Sequence, residues 1–300
     1  MIKKNISIIV CGDICPTNDT VKLFENGNNT QLFNDVQFEF DNCDFLIGNL
    51  EFPLTKLGKG IPKCGPVLSG KVECLSVLVN AGFSALSLSN NHIKDCGVEG
   101  VAATLDLCKA NGIQTVGAGL NDTLAKEPLV IIKGGWKIGI LSFSELEFNA
   151  SRKNEAGANI YDIYDSLDQI KKIKNNCDYV IILNHGGIEH YQYPSPQLQK
   201  KCRKMIEYGA DLVLCQHSHC IGTVENYLTG EILYGQGNFV YGQRGNDSWD
   251  QGLLAKINLN AQTNMSEVNY IPIHAVTSGI KKLAYDKATV LIDEFKTRSK

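Results

Sequence analysis

Five apolar runs punctuate residues 6–214 of this chain: Ile6-Ser7-Ile8-Ile9-Val10, Phe45-Leu46-Ile47, Ala85-Leu86-Ser87-Leu88, Tyr179-Val180-Ile181-Ile182-Leu183 and Leu212-Val213-Leu214. Short, continuous runs rich in Val, Ile and Leu predict strands covered on both faces. Between them, apolar positions at helical spacing predict helices over Lys71–Ala81, Val98–Ala110, Asp162–Asn176 and Gln197–Tyr208, with Gly82, Gly112 and Gly209 ending three of them. Pro53, Gly58, Gly60, Pro62, Gly65 and Pro66 mark a loop, and Val116-Gly117-Ala118-Gly119 a turn-rich strand end. Leu129–Ile132 and Trp136–Ser142 bracket Gly134-Gly135, a hairpin turn. After Cys220 the pattern becomes antiparallel. Val224–Leu228 and Ile232–Tyr234 flank a turn at Thr229-Gly230-Glu231, Leu253–Leu259 and Val268–Ile273 follow as strands, and Lys281–Arg298 reads as a closing helix. Residues 1–300 are expected to form a single α/β domain, two sheets face to face with helices outside.

Polar clusters stand where the apolar runs end. They are Asp13 after Cys11-Gly12, Asn49 and Glu51 in Gly48-Asn49-Leu50-Glu51, Asn91-His92, His185 after Leu183-Asn184, His217-Ser218-His219, and Asn238 in Gly235-Gln236-Gly237-Asn238-Phe239. In sheets of parallel strands, ligands gather outside the carboxyl ends. The pattern therefore carries four of the six histidines to one rim, together with carboxylates and amides. Carboxylate, amide oxygen and imidazole suit Zn²⁺, Mn²⁺ or Fe²⁺. A carboxylate can bridge two cations about 3.5–4 Å apart, so the inventory points to two divalent metals rather than one. Two histidines spaced as His217 and His219 can face different metals. Asn91 and His92 are adjacent, so their side chains diverge: Asn91 toward a metal, His92 toward substrate as general acid or oxyanion stabiliser. Taken singly, Asp13 and Asn238 read equally as turn residues, Glu51 as a local cap, and His190 and His274 as structural histidines. The common position at strand ends favours the metal reading.

Bulk properties remove some partners. A net charge of -3 without a basic tract gives no case for nucleic acid. Lys171-Lys172 and Lys200-Lys201 read as solvated helix faces. No apolar stretch approaches the ~18 residues of a membrane span. Met1-Ile2-Lys3-Lys4 is a basic start, but the run behind it is only about six residues long and is read as the first strand, not a signal peptide. The chain as given is expected to be cytoplasmic, with association with membrane-bound synthesis machinery left open. Eleven cysteines without a Cys-x-x-Cys motif read as reduced, mostly buried thiols. Cys15 and Cys220 differ in flanking candidate ligands.

Longer stretches carry a resemblance. They are Gly12-Asp13, Gly48-Asn49-Leu50-Glu51-Phe52-Pro53-Leu54-Thr55, Leu86 to Gly97 around Asn91-His92, Gly112-Ile113 to Gly119, His185-Gly186-Gly187-Ile188-Glu189, Gly209-Ala210-Asp211 to His219, and Tyr234 to Val240. In this order they resemble the calcineurin-like metallophosphoesterases and, more closely, the bacterial poly-γ-glutamate capsule-synthesis (CapA-like) proteins. The resemblance implies a four-layer α/β/β/α sandwich with a metal site at its rim. It puts Asp13, Glu51, Asn91, His185, His217 and His219 on ligand positions and His92 on the catalytic histidine. Cys15, Asn49, Glu189 and Asn238 remain further candidates for contact with a metal or its ligands. There are departures. Cys15 stands where many metallophosphoesterases have His, Glu51 where the wider superfamily has a bridging Asp, Gln216 where Gly is usual, and Gly186 where the capsule proteins typically have Trp. A Cys15 thiolate would soften the first metal site.

Three functions fit these residues: a metal-dependent hydrolase of phosphoesters, a metal-dependent enzyme acting on γ-glutamyl amides, and a non-catalytic accessory of surface-polymer assembly. The ligand set and His92 favour the first, with a phosphoester or anionic polymer as substrate and capsule synthesis as its context.

Overall fold

The computed structural model describes residues 3–56 and 59–300; Met1 and Ile2 of the basic start and Gly58 of the predicted loop lie outside the described residues. Among the described residues sixteen strands run in chain order: β1 Ile6–Ile14, β2 Phe45–Leu50, β3 Ala85–Ser87, β4 Gln114–Val116, β5 Ala118–Gly119, β6 Leu129–Lys133, β7 Trp136–Ser144, β8 Gly157–Ala158, β9 Tyr179–His185, β10 Leu212–Gln216, β11 Val224–Tyr227, β12 Gly230–Leu233, β13 Asn238–Val240, β14 Gln251–Asn260, β15 Met265–Val276 and β16 Gly279–Lys282. The helices are α1 Val21–Glu25, α2 Asn29–Phe33, α3 Gln37–Asp41, α4 Leu75–Ala81, α5 Gly97–Ala110, α6 Asp122–Ala125, α7 Asp165–Lys174, α8 Pro196–Glu207, α9 Asp247–Asp250 and α10 Tyr285–Arg298. None of the described helices is long and apolar enough to cross a membrane.

Eight strands form one sheet in the order β16-β15-β14-β1-β2-β3-β4, with β13 also paired to β1. Six form a second, β11-β12-β10-β9-β7-β6, and β5 pairs with β8. β1 through β4 are mutually parallel, as are β7, β9, β10 and β12. Side-chain alternation explains why their sequences read as unbroken apolar runs. Ile8, Val10 and Ile47 of the first sheet share one core with Ile138, Ile140, Ile181, Leu183, Leu212 and Leu214 of the second. Their neighbours Ile9, Cys11 and Leu46 face a core under α1, α4 and α5, and Val180, Ile182 and Val213 face one under α7 and α8. The result is the four-layer α/β/β/α sandwich. Each such buried Ile or Leu stabilises it by about 1.5–3 kcal/mol.

Three expectations shift. The hairpin after β11 turns at Leu228-Thr229, not Thr229-Gly230-Glu231, with Leu228 at φ 51° and Gly230 already in the strand. Gly230 packs close against α8, where a Cβ would lie 2.6 Å from the end of the Ile206 side chain. The final helix begins at Tyr285. Lys281 and Lys282 instead pair with His274 and Ile273 as an edge strand, and Leu283 N–H still donates to Pro272. Residues 21–41, unassigned from periodicity, fold into α1–α3, whose Phe24, Phe33 and Phe40 fill the outer core.

Glu39 on α3 ties this helical segment to the sheet edge. Its carboxylate accepts from Lys256 and Lys282, each at 3.1 Å. Burial alone would raise its pKa, but the two ammonium groups outweigh it and hold it below the ordinary carboxylate value. A depressed folded pKa contributes stability above the unfolded value and loses it as pH falls through the folded one. Glu39→Gln should therefore cost about 1 kcal/mol at pH 7, a Tm loss of roughly 2 °C. That loss should shrink on acidification below pH 4 when melting is followed by circular dichroism.

Candidate metal centre

Strand register assembles the centre. Asp13 on β1 pairs across to Asn49 on β2 and to Asn238 on β13. In the second sheet His185, the last residue of β9, lies level with Ser144 and Gln216. β1 approaches the chain before β13 so closely that a Cβ on Gly12 would lie 2.3 Å from the Gly237 carbonyl oxygen, so only glycine fits there.

Beyond β10 the chain turns sharply, with His217 at φ 86° and His219 at φ 54°. Non-glycine residues in this region carry strain of about 1–3 kcal/mol and persist where surrounding bonds hold them. Here His217 N–H donates to Asp13 Oδ2 at 3.1 Å and Ser218 Oγ to the Cys220 carbonyl at 3.0 Å. The turn sends the two imidazoles to different partners: Glu51, His185 and His217 form one group of converging ligand atoms, and Asp13, Glu51 and His219 another. Glu51 belongs to both. Its Oε1 is 3.6 Å from His185 Nε2 and 4.0 Å from His219 Nε2.

Neighbouring amides have their orientation set by their bonds. Asn91 Nδ2 donates to Glu147 at 3.3 Å, which turns Oδ1 to within 3.0 Å of His185 Nε2. Asn238 Nδ2 donates to the Trp249 carbonyl, so its Oδ1 accepts from His219 Nδ1 at 2.9 Å and leaves His219 Nε2 for the centre. Asn49 Nδ2 lies 2.7 Å from Asp13 Oδ1 and 3.1 Å from His185 Nδ1. Asn90, adjacent to Asn91, braces Asn49 and the Leu50 carbonyl.

Electrostatics test whether these residues suit a cation. Both carboxylate oxygens of Glu51 and His217 Nδ1 are buried without a hydrogen-bond partner. Burial pushes the Glu51 carboxyl well up, and repulsion from Asp13, Glu189 and Asp95 adds to it. Burial raises Asp13 to about 6, against the bonds from Asn49 and His217. Burial lowers His185, His217 and His219, the last to about 4, which keeps their imidazoles neutral. Crowded carboxylates with orphaned oxygens beside neutral imidazoles match what a divalent cation requires.

The remaining candidates divide. His92 is buried beside the cluster. Its Nδ1 meets Asp95 Oδ2 at 2.7 Å, and Asp95 also accepts from Lys63 at 2.6 Å and Leu68 N–H at 2.7 Å. Glu189 is half exposed, with Oε1 3.9 Å from His217 Nε2. Cys15 belongs to neither ligand group. It packs into the outer core, where burial and Glu51 hold its thiol well up. His190 lies in neither ligand group, its ring stacked 5.9 Å from that of His219 at the rim. His274 stays in β15. Lys201 is not a solvated charge, since it pairs with Glu145 at 2.9 Å, whose carboxylate reaches Gly187 N–H.

Asp95, Lys63, Glu147 and Trp249 escaped the sequence reading. Only Asp95 left a local signal, three residues after His92.

Residues 7–243 match the family model described as bacterial capsule synthesis protein PGA_cap. The chain belongs to this family. The PGA biosynthesis protein CapA of Bacillus subtilis (strain 168) is 29% identical over 292 residues, covering 95% of this chain and 77% of that protein. The capsule biosynthesis protein CapA of Bacillus anthracis is 28% identical over 260 residues, covering 84% of this chain and 63% of the relative. A hypothetical protein from Thermus thermophilus shares the fold, with a TM-score of 0.54 at 12% identity over 93% of this chain and all of the other. The PGA_cap match begins at the second residue of β1 and ends just past β13, so it takes in the strands that carry these side chains.

Asn238→Leu should weaken retention of Zn²⁺ or Mn²⁺ about ten- to a hundredfold by freeing the His219 ring. Competition against a chelating dye measures it, and unchanged affinity would remove Asn238 from the centre.

Proposed function

We propose that this capsule-synthesis family member is a metal-dependent phosphoester hydrolase using two divalent cations, Mn²⁺, Zn²⁺ or Fe²⁺. The observation that carries the reading is Glu51, fully buried, shared by two ligand groups and without a partner for either oxygen. Asp13, Glu51 and His219 would hold one cation, and Glu51, Asn91, His185 and His217 the other. Bound there, the cations supply Lewis-acid polarisation of a phosphoryl oxygen and acidify a water.

The chain's own groups complete the chemistry. Asp95 accepts from His92 Nδ1 and orients the ring, so that a ring protonated on both nitrogens would give its Nε2 proton to a leaving oxygen and keep the Nδ1–H held by Asp95. Lys63 and Leu68 N–H occupy the Asp95 oxygens on their other sides, which keeps that carboxylate an acceptor. Asn49 and the His217 N–H steady Asp13, and Asn238 steadies His219. The names of the two Bacillus relatives supply the context, synthesis of a capsule or PGA polymer.

Mn²⁺-loaded protein should hydrolyse a chromogenic phosphodiester. Chelation and His217→Ala should each abolish turnover, and His92→Ala should lower kcat about 10²–10⁴-fold with metal content retained. Well-folded, metal-loaded protein that turns over no phosphoester would overturn the reading.

A further inference from the structure

A cavity of about 350 Å³ opens beside the centre, walled by His190, His219, Arg244, Asn246, Ser248 and Trp249. Its inner wall is His219, so a molecule occupying it reaches the metal ligands. Its outer wall is Arg244, whose guanidinium lies 3.5 Å from the centroid of the Trp249 ring. The indole is a fixed platform: Nε1 donates to the Gly242 carbonyl at 3.1 Å, and the ring packs on His219 at 4.8 Å and Tyr241 at 5.4 Å. The contact holds the exposed guanidinium at the indole face, and the N–H donors along its edge make no hydrogen bond among the described residues.

The charge on that edge is uncompensated within the cavity. Arg244 makes no ion pair among the described residues, and the cavity lining contains no carboxylate. The nearby Asp250 is committed elsewhere, its two oxygens accepting the backbone N–H groups of Arg244 at 2.8 Å and Asn246 at 3.0 Å. These bonds shape the loop rather than neutralise the guanidinium. Glu189 faces His217 and lies 3.9 Å from His190 Nε2, outside the lining. A planar cation on a rigid aromatic base, next to an imidazole and an amide, is built to take an oxyanion through paired hydrogen bonds.

We propose that this cavity is a substrate subsite in which Arg244 binds a carboxylate or phosphate on the part of the substrate that is not cleaved. The subsite rests on the hydrolase reading above, and it narrows the substrate to a molecule bearing a second anionic group one subsite away from the reacting bond. A polyanionic chain is the class that supplies such groups at regular intervals.

The test follows anion binding to the metal-loaded protein by tryptophan fluorescence, with Trp136→Phe leaving Trp249 as the sole indole. The probes are γ-linked triglutamate, the same peptide with every carboxylate amidated, and inorganic phosphate. At least one anion should quench saturably, the amidated peptide should not, and Arg244→Gln should weaken the anion about tenfold. Arg244→Lys, which keeps the charge but not the fork, should fall between. The tighter Arg244-dependent anion identifies the oxyanion. Equal affinity in Arg244→Gln, or equal binding of the amidated peptide, would overturn the subsite. Arg244-dependent binding without phosphoester turnover would sink the hydrolase reading and leave the subsite standing. Turnover with anion affinity indifferent to Arg244 would do the reverse.

Discussion

A carboxylate buried without a hydrogen-bond partner is the constraint around which this molecule is arranged. Glu51 leaves the end of a strand interior to the first sheet and projects into the seam where the second sheet's histidines arrive. Left ionised and alone, such a group costs several kcal/mol. Its nearest neighbours do not relieve it, because Asp13 repels it and the imidazoles around it are neutral, and the charge of Lys63 offsets only a part. The sandwich sustains this because its apolar layers are large: three buried clusters, one between the sheets and one under each helical layer, hold the strand ends in place.

The same logic accounts for the turn after β10. Two histidines in left-handed backbone are locally unfavourable, and sequence propensity would not put them there. They stay because the peptide N–H of His217 is tied to Asp13 of the opposite sheet. One bond thus spans the seam, fixes the turn and aims both rings. Asn238 and Asn91 extend the scheme through amides whose donor ends are spent elsewhere, so that only oxygen faces the centre.

Much of this was legible beforehand because strands covered on both faces leave an unbroken apolar signature, and the polar residue ending each run marks the rim. Asp13, Glu51, Asn91, His185, His217 and His219 each stand at such an ending, or within a few residues of one. Residues supplied by loops had no comparable signal. Lys63 and Arg244 lie in stretches without periodicity, and Trp249 reads as any apolar residue near a turn. A lone histidine such as His190 says nothing of the neighbour it will stack on. The hairpin after β11 was misplaced because Gly230 advertised a turn, whereas it serves close packing on α8. Lys281 and Lys282 were drawn into the last helix by composition, although pairing to β15 keeps them extended.

Asp95 ties more than the His92 ring. It holds His92 with one oxygen, and with both it grips the segment around residues 61–68 through Lys63, the Leu68 N–H and its own carbonyl, which accepts from Ile61. Lifting that segment would strip the buried Asp95 carboxylate of two of its three donors and leave His92 as the remaining one. One buried carboxylate is thus a shared anchor, rivetting a loop and an imidazole ring to the same point of the seam.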